Sequence, residues 1–240
     1  MTESHTDATV AFEAAMTGDR LERRFRDRRD AGRQLGARLA SKYRDRDVVV
    51  LGLPRGGVPV AYEVARALDA PLDVLPVRKL GAPFNPELAL GAIAAGGVRY
   101  LDPDTLVYLG TDVDEIDAIA AREQIELERR ERLYRAGRAP LDLRGKTVLI
   151  VDDGMATGST MAAAVLAARA AGCAEVVCAV PTGARDALAR LAHVADAVEA
   201  LYVPEPYIAV GIWYEAFPQL DDREVIDLLA RQRPEGDVDE

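Results

Sequence analysis

Two adjacent acids follow an apolar run in the second half of the sequence. Residues 148–151 are Val-Leu-Ile-Val, Asp152 and Asp153 come directly after them, and small and hydroxyl residues lead into residues 159–171. The apolar run predicts a strand buried on both faces, and residues 159–171 predict a helix. In an α/β sheet such a turn lies at the carboxyl end of the strand, where ligands bind. We therefore expect a ligand site at Asp152 and Asp153.

The start of the predicted helix suits a phosphate group. The backbone N–H groups of residues 156–160 lack helical partners there, and the helix dipole adds partial positive charge. Asp152 and Asp153 would repel a phosphate, so we expect them to face sugar hydroxyls or a hydrated Mg²⁺. A phosphorylated sugar satisfies both halves of the turn. A plain turn with an N-cap would explain only one acid and one hydroxyl.

Two other nucleotide-binding motifs fail on spacing. A Walker-type loop requires G-x-x-x-x-G-K-[ST], but three residues separate Gly154 from Gly158, and Ser159 stands at the lysine position. A dinucleotide fingerprint requires G-x-G-x-x-G after the first strand, and the glycines within residues 52–57 do not have that spacing.

Apolar segments on either side of the turn predict the elements that position it. Strand, turn and helix repeat along the chain, which predicts right-handed crossovers and a doubly wound, mostly parallel α/β sheet with helices on both faces. The predicted strands are residues 48–53, 72–77, 148–152, 176–181 and 197–202, and the predicted helices are residues 27–43, 58–68, 159–171, 185–193 and 221–232.

Residues 80–145 interrupt this rhythm as a long insertion. They begin with a stretch rich in Gly and Pro that predicts a loop, pass through a hairpin at Gly96-Gly97, and end in a charged helix over residues 112–135. The predicted organisation is a flexible extension at residues 1–19, one domain over residues 20–233 that contains the insertion, and an acidic tail at residues 234–240.

Composition limits the classes of function. The formal charge of −10 over 240 residues disfavours broad binding to nucleic acid or anionic lipid. Residues 20–46 are locally basic, with eleven Lys or Arg against four acids; we favour a solvated helix face over an RNA-binding arm. Two cysteines are too few for a disulfide framework. No apolar stretch approaches the ~20 residues of a membrane span, so we expect a cytoplasmic protein.

The turn after residue 151 resembles the 5-phosphoribosyl-1-pyrophosphate (PRPP) signature of type I phosphoribosyltransferases, which has four apolar residues, two acids and a Thr-Gly loop. With the segments described next, the resemblance spans about residues 33–226. It implies that residues 157–160 hold the 5-phosphate and that the two acids meet the ribose hydroxyls and, through water, Mg²⁺. The substrate-binding residues that it implies here are Asp152, Asp153, Ala156, Thr157, Gly158, Ser159 and Thr160.

Two basic segments extend the resemblance. Arg55, Gly56 and Gly57 follow the first predicted strand, where the family has its pyrophosphate loop, and paired glycines let a backbone approach an anion closely. The family often has a non-proline cis peptide there, which we expect at the Arg55–Gly56 bond. Arg78 and Lys79 end the second predicted strand and resemble the basic pair that neutralises pyrophosphate in this family.

Residues 203–211 resemble the segment that covers the base in purine phosphoribosyltransferases, and we expect a small C-terminal hood there. Alignment on Gly211 puts the stacking position at Ile208, and one inserted residue puts it at Tyr207. We prefer Tyr207 because a ring gains more from stacking. The aromatic residues that follow, Trp213, Tyr214 and Phe217, leave a hydrophobic core patch as the alternative.

The resemblance does not identify a general base. Hypoxanthine-type members carry an aspartate where this chain has Ala156, which is instead similar to adenine-type members. The catalytic candidates are Asp152, Asp153 and Glu215, and Glu123 of the insertion is another acid that could reach the site.

The implied activity is a Mg²⁺-dependent pentosyl transfer in nucleotide salvage. Ribose 5-phosphate would pass from PRPP to a nitrogen acceptor, a purine-like base, and pyrophosphate would leave. The family also implies a homo-oligomer. Two alternatives stay open: a PRPP-binding regulator without turnover, which could use residues 20–46 for RNA, and a hydrolase- or phosphorylase-like enzyme on the same scaffold. Tyr207 argues against the second, because an aromatic cover suits a planar acceptor.

Overall fold

The computed structural model describes residues 24–110, 112–136 and 139–232. The predicted extension at residues 1–19 and the predicted tail at residues 234–240 lie outside the described residues. The helices are α1 Arg28–Tyr43, α2 Gly57–Leu68, α3 Pro103–Leu109, α4 Val113–Arg135, α5 Ser159–Ala170, α6 Arg185–Leu191 and α7 Asp222–Arg231. The strands are β1 Val48–Gly52, β2 Leu72–Val74, β3 Val77–Ala82, β4 Asn85–Ala94, β5 Val98–Leu101, β6 Thr147–Val151, β7 Glu175–Thr182 and β8 Ala197–Tyr202.

The predicted doubly wound sheet is confirmed. Five parallel strands lie in the order β2-β1-β6-β7-β8. Every residue of β1 and β6 is buried, because helices cover both faces of the sheet. Val50 lies in an apolar cluster with Leu35 of α1, and Val148 lies in another cluster with Leu188 of α6. The pairing of Gly52 with Val151 ends β1 and β6 side by side, which brings the turns after them together.

The second predicted strand, residues 72–77, is wrong in extent. β2 ends at Val74, and β3 begins at Val77 in a separate antiparallel sheet of order β3-β4-β5. Pro76 lies between them and has no N–H to continue the parallel ladder. Its carbonyl instead accepts the N–H of Ala95, 3.3 Å away, so the chain changes sheets at this proline.

The insertion is more ordered than its Gly and Pro content predicted. Residues 81–86, predicted as a loop, are mostly the ends of β3 and β4, with shifts in register around Gly81. The predicted hairpin is confirmed: a short 3₁₀ turn joins β4 to β5, and Gly96 and Gly97 have φ values of 80° and 75°. A left-handed backbone of this kind favours glycine.

The charged helix predicted over residues 112–135 is confirmed as α4, with Asp112 as its N-cap. Ile116 and Leu127 pack against Leu80 of β3. Tyr134 near its end packs with Leu228 of α7. α4 therefore joins the antiparallel sheet to the C-terminal helix.

The C-terminal hood, residues 203–220, covers the end of the parallel sheet. Phe25, just before α1, forms an isolated bridge with Tyr214 of the hood, and their rings lie 5.4 Å apart. The N-terminal part of the described chain is therefore packed on the hood. None of the helices in the described ranges is long and apolar enough to cross a membrane.

Candidate active site at the ends of two parallel strands

Asp152 and Asp153 lie where the sequence predicted them, immediately after β6. The N–H of Asp153 donates to Oδ1 of Asp152 at 2.8 Å, so the two carboxylates share one tight turn. The turn is anchored to the end of β7, because Met155 donates its N–H to the carbonyl of Thr182 at 2.9 Å. These contacts fix the acids at the carboxyl edge of the sheet, where ligands bind in this class of fold.

The environment of the acidic pair disfavours two negative charges. Burial, together with the neighbouring charge of Asp153, holds the pKa of the Asp152 carboxyl well above its usual range. Burial also raises the pKa of Asp153, although the guanidinium of Arg28 opposes that effect. A buried carboxylate that is costly to charge is stabilised by a bound cation or by hydroxyl donors. The pair is therefore suited to ligands that supply a cation or hydroxyl groups.

The start of α5 lies next to the acids and is open to an anion. Gly158 is its N-cap, with φ of 81° and no side-chain hydrogen bond to the first turn. Thr157 is exposed, and its carbonyl accepts a hydrogen bond from Nη2 of Arg190 at 3.0 Å. The predicted phosphate-binding residues, Ala156, Thr157, Gly158, Ser159 and Thr160, are thus all in the loop and first turn before and within α5. N–H groups that lack helical partners at such a terminus can donate to an anion such as phosphate.

The glycine loop after β1 lies directly against the acidic turn. A Cβ added to Gly56 would lie 2.0 Å from Oδ2 of Asp153, and one added to Gly57 would lie 2.6 Å from the carbonyl oxygen of Val151. The paired glycines are therefore required by this close approach. The expected cis peptide is present one bond earlier than predicted, at Pro54–Arg55 and not at Arg55–Gly56. The side chain of Arg55 is exposed at the edge of the loop.

Arg78 and Lys79 do not form a pair at the end of the second strand, as the sequence predicted, because they lie near the start of β3. Successive side chains of a strand point to opposite faces. Arg78 lies on the face that packs on α4 and donates from Nε and Nη2 to one carboxylate oxygen of Glu123, at 2.9 and 2.6 Å. Lys79 lies on the other face with Val77, which packs against the cluster that contains α5.

Tyr207 lies in the hood above the acidic turn. Its ring stacks on Trp213 with centroids 6.5 Å apart, and burial raises the pKa of its hydroxyl to about 12. Ile208, the alternative stacking residue, is 74% exposed. The hood touches the turn closely, since a Cβ on Gly154 would lie 2.5 Å from Cγ1 of Val210.

The two acids considered for proton transfer lie in different settings. Glu215 has an exposed side chain, and its backbone N–H donates to the carbonyl of Phe25 at 2.8 Å. Glu123 of the insertion does reach the basic segment, where it binds Arg78. Among the residues that the structure describes, neither acid is hydrogen-bonded to Asp152 or Asp153.

Arg28, the first residue of α1, is a residue of the site that the sequence patterns did not predict. Its Nε donates to Oδ2 of Asp153 at 2.7 Å, across 125 positions of sequence. The basic segment was interpreted as a solvated face, but Arg28 is only 8% exposed. One signal was available: Arg28 stands three residues before Ala31 and seven before Leu35, so it shares their helical stripe, which faces the core.

The donor set fits Mg²⁺ held largely by its ligand. Within the described ranges, no group of three or more His, Cys, Asp or Glu side chains is arranged to hold a metal ion. Mg²⁺ usually keeps several waters and is held by one or two carboxylates plus substrate phosphates. Asp152 and Asp153 match that pattern.

Comparison with known proteins identifies the family of this chain. A family model described as "Phosphoribosyl transferase domain" matches residues 28–201. Two Mycobacterium tuberculosis proteins, from strains CDC 1551 / Oshkosh and ATCC 25618 / H37Rv, carry the name "Putative phosphoribosyl transferase" and are each 53% identical over 207 residues. The matches cover 86% of this chain but 46% of each relative, so the chain spans about half the length of these curated relatives. The crystal structure of TT1426 from Thermus thermophilus is 44% identical, with a TM-score of 0.76 over 88% of this chain and 100% of that one.

Proposed function

Because the chain belongs to the phosphoribosyl transferase family, we propose that it transfers ribose 5-phosphate from PRPP to a nitrogen acceptor and releases pyrophosphate. The proposed acceptor is a purine-like base, and the proposed setting is nucleotide salvage in the cytoplasm. One observation carries the proposal: the glycine loop after β1 contacts the acidic turn after β6, next to the open start of α5. This contact supports a site in which two phosphate groups and a sugar are bound next to one another.

Each part of the site has a role in the proposal. The start of α5 holds the 5-phosphate, since its N–H groups and hydroxyls are donors. Asp152 and Asp153 accept hydrogen bonds from the ribose hydroxyls. The glycine loop receives the pyrophosphate, whose charge is neutralised by Arg55 and Arg78, while Lys79 lies on the opposite face of β3. Tyr207 and the hood cover the acceptor.

The proposed reaction needs no covalent nucleophile. The bond from ribose C1 to the pyrophosphate oxygen breaks, the electron pair stays on pyrophosphate, and positive charge develops on the ribose ring. The acceptor nitrogen supplies the new electron pair to C1 and loses its proton to solvent. Fixed carboxylates near the ring and fixed donors near the leaving group stabilise this charge separation, so rate enhancement comes from positioning and electrostatics.

Asp152 and Asp153 would hold Mg²⁺ through water molecules. The ion would neutralise charge on the phosphate groups. The side chains at the carboxyl edge of the sheet have two roles that do not depend on the ion. They orient the ribose, and together with the hood they exclude water.

The decisive experiment measures pyrophosphate release from PRPP across a panel of adenine, guanine, hypoxanthine, xanthine, uracil and orotate. We expect release with one or more purines and loss of release in the Asp152→Asn, Asp153→Asn double variant, with the fold retained by circular dichroism. Turnover that survives the double change would overturn the mechanism. Tight binding of PRPP in calorimetry with no release for any base would favour the regulator.

A further inference from the structure

Arg28 connects three parts of the molecule. Its Nε donates to Oδ2 of Asp153 at 2.7 Å, and its Nη1 donates to the carbonyl of Pro218 in the hood at 2.8 Å. The guanidinium carbon lies 3.7 Å from the centre of the Phe217 ring. One buried side chain at the start of α1 therefore contacts the acidic turn and the hood at once.

The contacts of Arg28 give its two neighbouring acids different surroundings. A guanidinium keeps its charge at all relevant pH values, and its planar fork fixes the direction of each hydrogen bond. Asp153 is held through its side chain by Arg28 and through its carbonyl by the hydroxyl of Tyr214, at 2.5 Å. Asp152 instead accepts the N–H of Asp153 within the turn. Asp153 is thus the acid whose side chain is tied to a distant part of the chain.

We propose that Arg28 is a positioning residue that orients Asp153 for the ribose of PRPP and ties that carboxylate to the hood. Ligand binding at the acidic turn is then coupled to the position of the hood through the side chain of Arg28, in addition to the direct contacts of Tyr214 and Val210 with the turn. The inference rests on the proposed function of this site, and it assigns a role to a residue outside the PRPP-binding segments.

The chain offers a matched control and a built-in probe. Arg29 is the adjacent cation, is exposed, and lies over Tyr62 at 6.0 Å. Arg29→Gln therefore removes the same charge as Arg28→Gln without touching Asp153. Trp213 is the single tryptophan of the sequence and lies in the hood, so its fluorescence quenching by acrylamide reports access to the hood without any ligand.

The first experiment compares the affinity of Arg28→Gln, Arg28→Lys and Arg29→Gln for Mg²⁺-PRPP by calorimetry. Loss of a hydrogen bond to a charged group corresponds to at least about tenfold in an equilibrium constant, so we expect Arg28→Gln to raise the dissociation constant by at least about tenfold. Arg28→Lys should recover part of the loss, because it keeps the charge but not the fork. Arg29→Gln should bind as the wild type does. Equal binding by Arg28→Gln and Arg29→Gln would overturn the inference.

The second experiment separates positioning from a general structural role. If Arg28 acts through Asp153, the Arg28→Gln, Asp153→Asn double variant should bind no more weakly than the weaker single variant; additive losses would contradict the inference. Trp213 should be quenched more readily in Arg28→Gln than in Arg29→Gln. Should Arg28→Gln fail to fold, Arg28→Lys decides: wild-type affinity and quenching in that variant would overturn the inference. A wild-type protein that does not bind Mg²⁺-PRPP would instead defeat the proposed function, and this inference with it.

Discussion

Arg78 of β3 holds Glu123 of α4 through two hydrogen bonds to one carboxylate oxygen, at 2.9 and 2.6 Å. The arginine proposed to neutralise pyrophosphate is therefore already paired with an acid from the insertion. Both side chains are partly buried, with 29% and 16% of their surface exposed. For Arg78 to bind pyrophosphate, the ligand must compete with Glu123, so the insertion can set the strength of that contact.

Replacing Glu123 by Gln should tighten the binding of pyrophosphate. The change removes a competing negative charge from Arg78, and partly exposed pairs of this kind are worth up to about 1 kcal/mol, or about fivefold in affinity. Calorimetry with pyrophosphate and Mg²⁺ measures the effect. Glu128→Gln is the matched control, since Glu128 is exposed on α4 and accepts a hydrogen bond from Gln124 of the same helix. If Glu123→Gln binds pyrophosphate no more tightly than the wild type does, Arg78 is not part of the pyrophosphate site.

Local patterns predicted the elements that carry the site. These patterns are all short-range: the apolar run before Asp152, the small residues after it, and the alternation of strands and helices. In a doubly wound sheet each of them is compatible with one arrangement only. The sequence also indicated the carboxyl edge, because parallel strands that precede glycine-bearing turns end there together. The contact between Gly56 and Asp153 follows from the pairing of β1 with β6.

Long-range contacts were beyond the sequence patterns. Arg28 and Asp153 are 125 positions apart, and a basic residue in a basic helix gives only a weak signal that it is buried. The three-stranded sheet of the insertion was missed for a different reason: Gly81 and Pro86 lie near the ends of its first two strands, and Pro83 lies in the turn between them. Such residues usually predict a loop, but register shifts at Gly81 allow the strands to pair despite them.

Gly56→Ala tests the contact between the glycine loop and the acidic turn. The backbone of Gly56 has φ −62° and ψ −34°, which any residue adopts, so only the clash matters. The new methyl group would lie 2.0 Å from Oδ2 of Asp153 and would displace that carboxylate from Arg28. Overpacking of this kind costs about 1–3 kcal/mol, and we expect PRPP binding to weaken with it. Urea unfolding and calorimetry measure the two effects.

The control for Gly56→Ala is the same change in an Asp153→Ala background, where the clashing carboxylate is gone. The additional destabilisation should then fall below about 0.5 kcal/mol if the contact is its cause. An equal cost in both backgrounds would place the cause elsewhere in the loop.

Asp152→Asn should stabilise the unliganded protein while removing its activity. Burial and the charge of Asp153 raise the pKa of Asp152 above 3.8 in the folded state, so the folded protein binds more protons than the unfolded chain above that pH. The free energy of unfolding therefore falls as the pH rises above this value and Asp152 becomes charged. Asn at this position carries no charge, so the variant does not lose this stability. Single stabilising substitutions commonly give about 0.5–2 kcal/mol, and we expect a gain of that size at neutral pH.

Thermal unfolding of the Asp152→Asn variant and the wild type between pH 4 and pH 8 checks this sign. The advantage of the variant should be small near pH 4 and grow toward neutral pH. Asp142→Asn is a suitable control, because Arg144 lowers the pKa of that exposed acid to about 2, and its removal should give no gain. An advantage for Asp152→Asn that is independent of pH would rule out charge burial as the cause.

Tyr134→Phe should weaken the packing of α4, in the insertion, against the C-terminal helix α7. The Tyr134 ring is fully buried, and its hydroxyl donates to Oδ1 of Asp222, the first residue of α7, at 2.6 Å. Burial, together with this carboxylate, raises the pKa of the Tyr134 hydroxyl, so it stays a donor at all working pH values. Loss of a hydrogen bond to a charged group costs about 1.5–3 kcal/mol, which lowers the melting temperature by roughly 3–12 °C. Tyr108→Phe, at a side chain that is 84% exposed, should melt with the wild type. Equal melting temperatures for the two variants would show that the packing of the Tyr134 ring, and not its hydroxyl, stabilises the contact between α4 and α7.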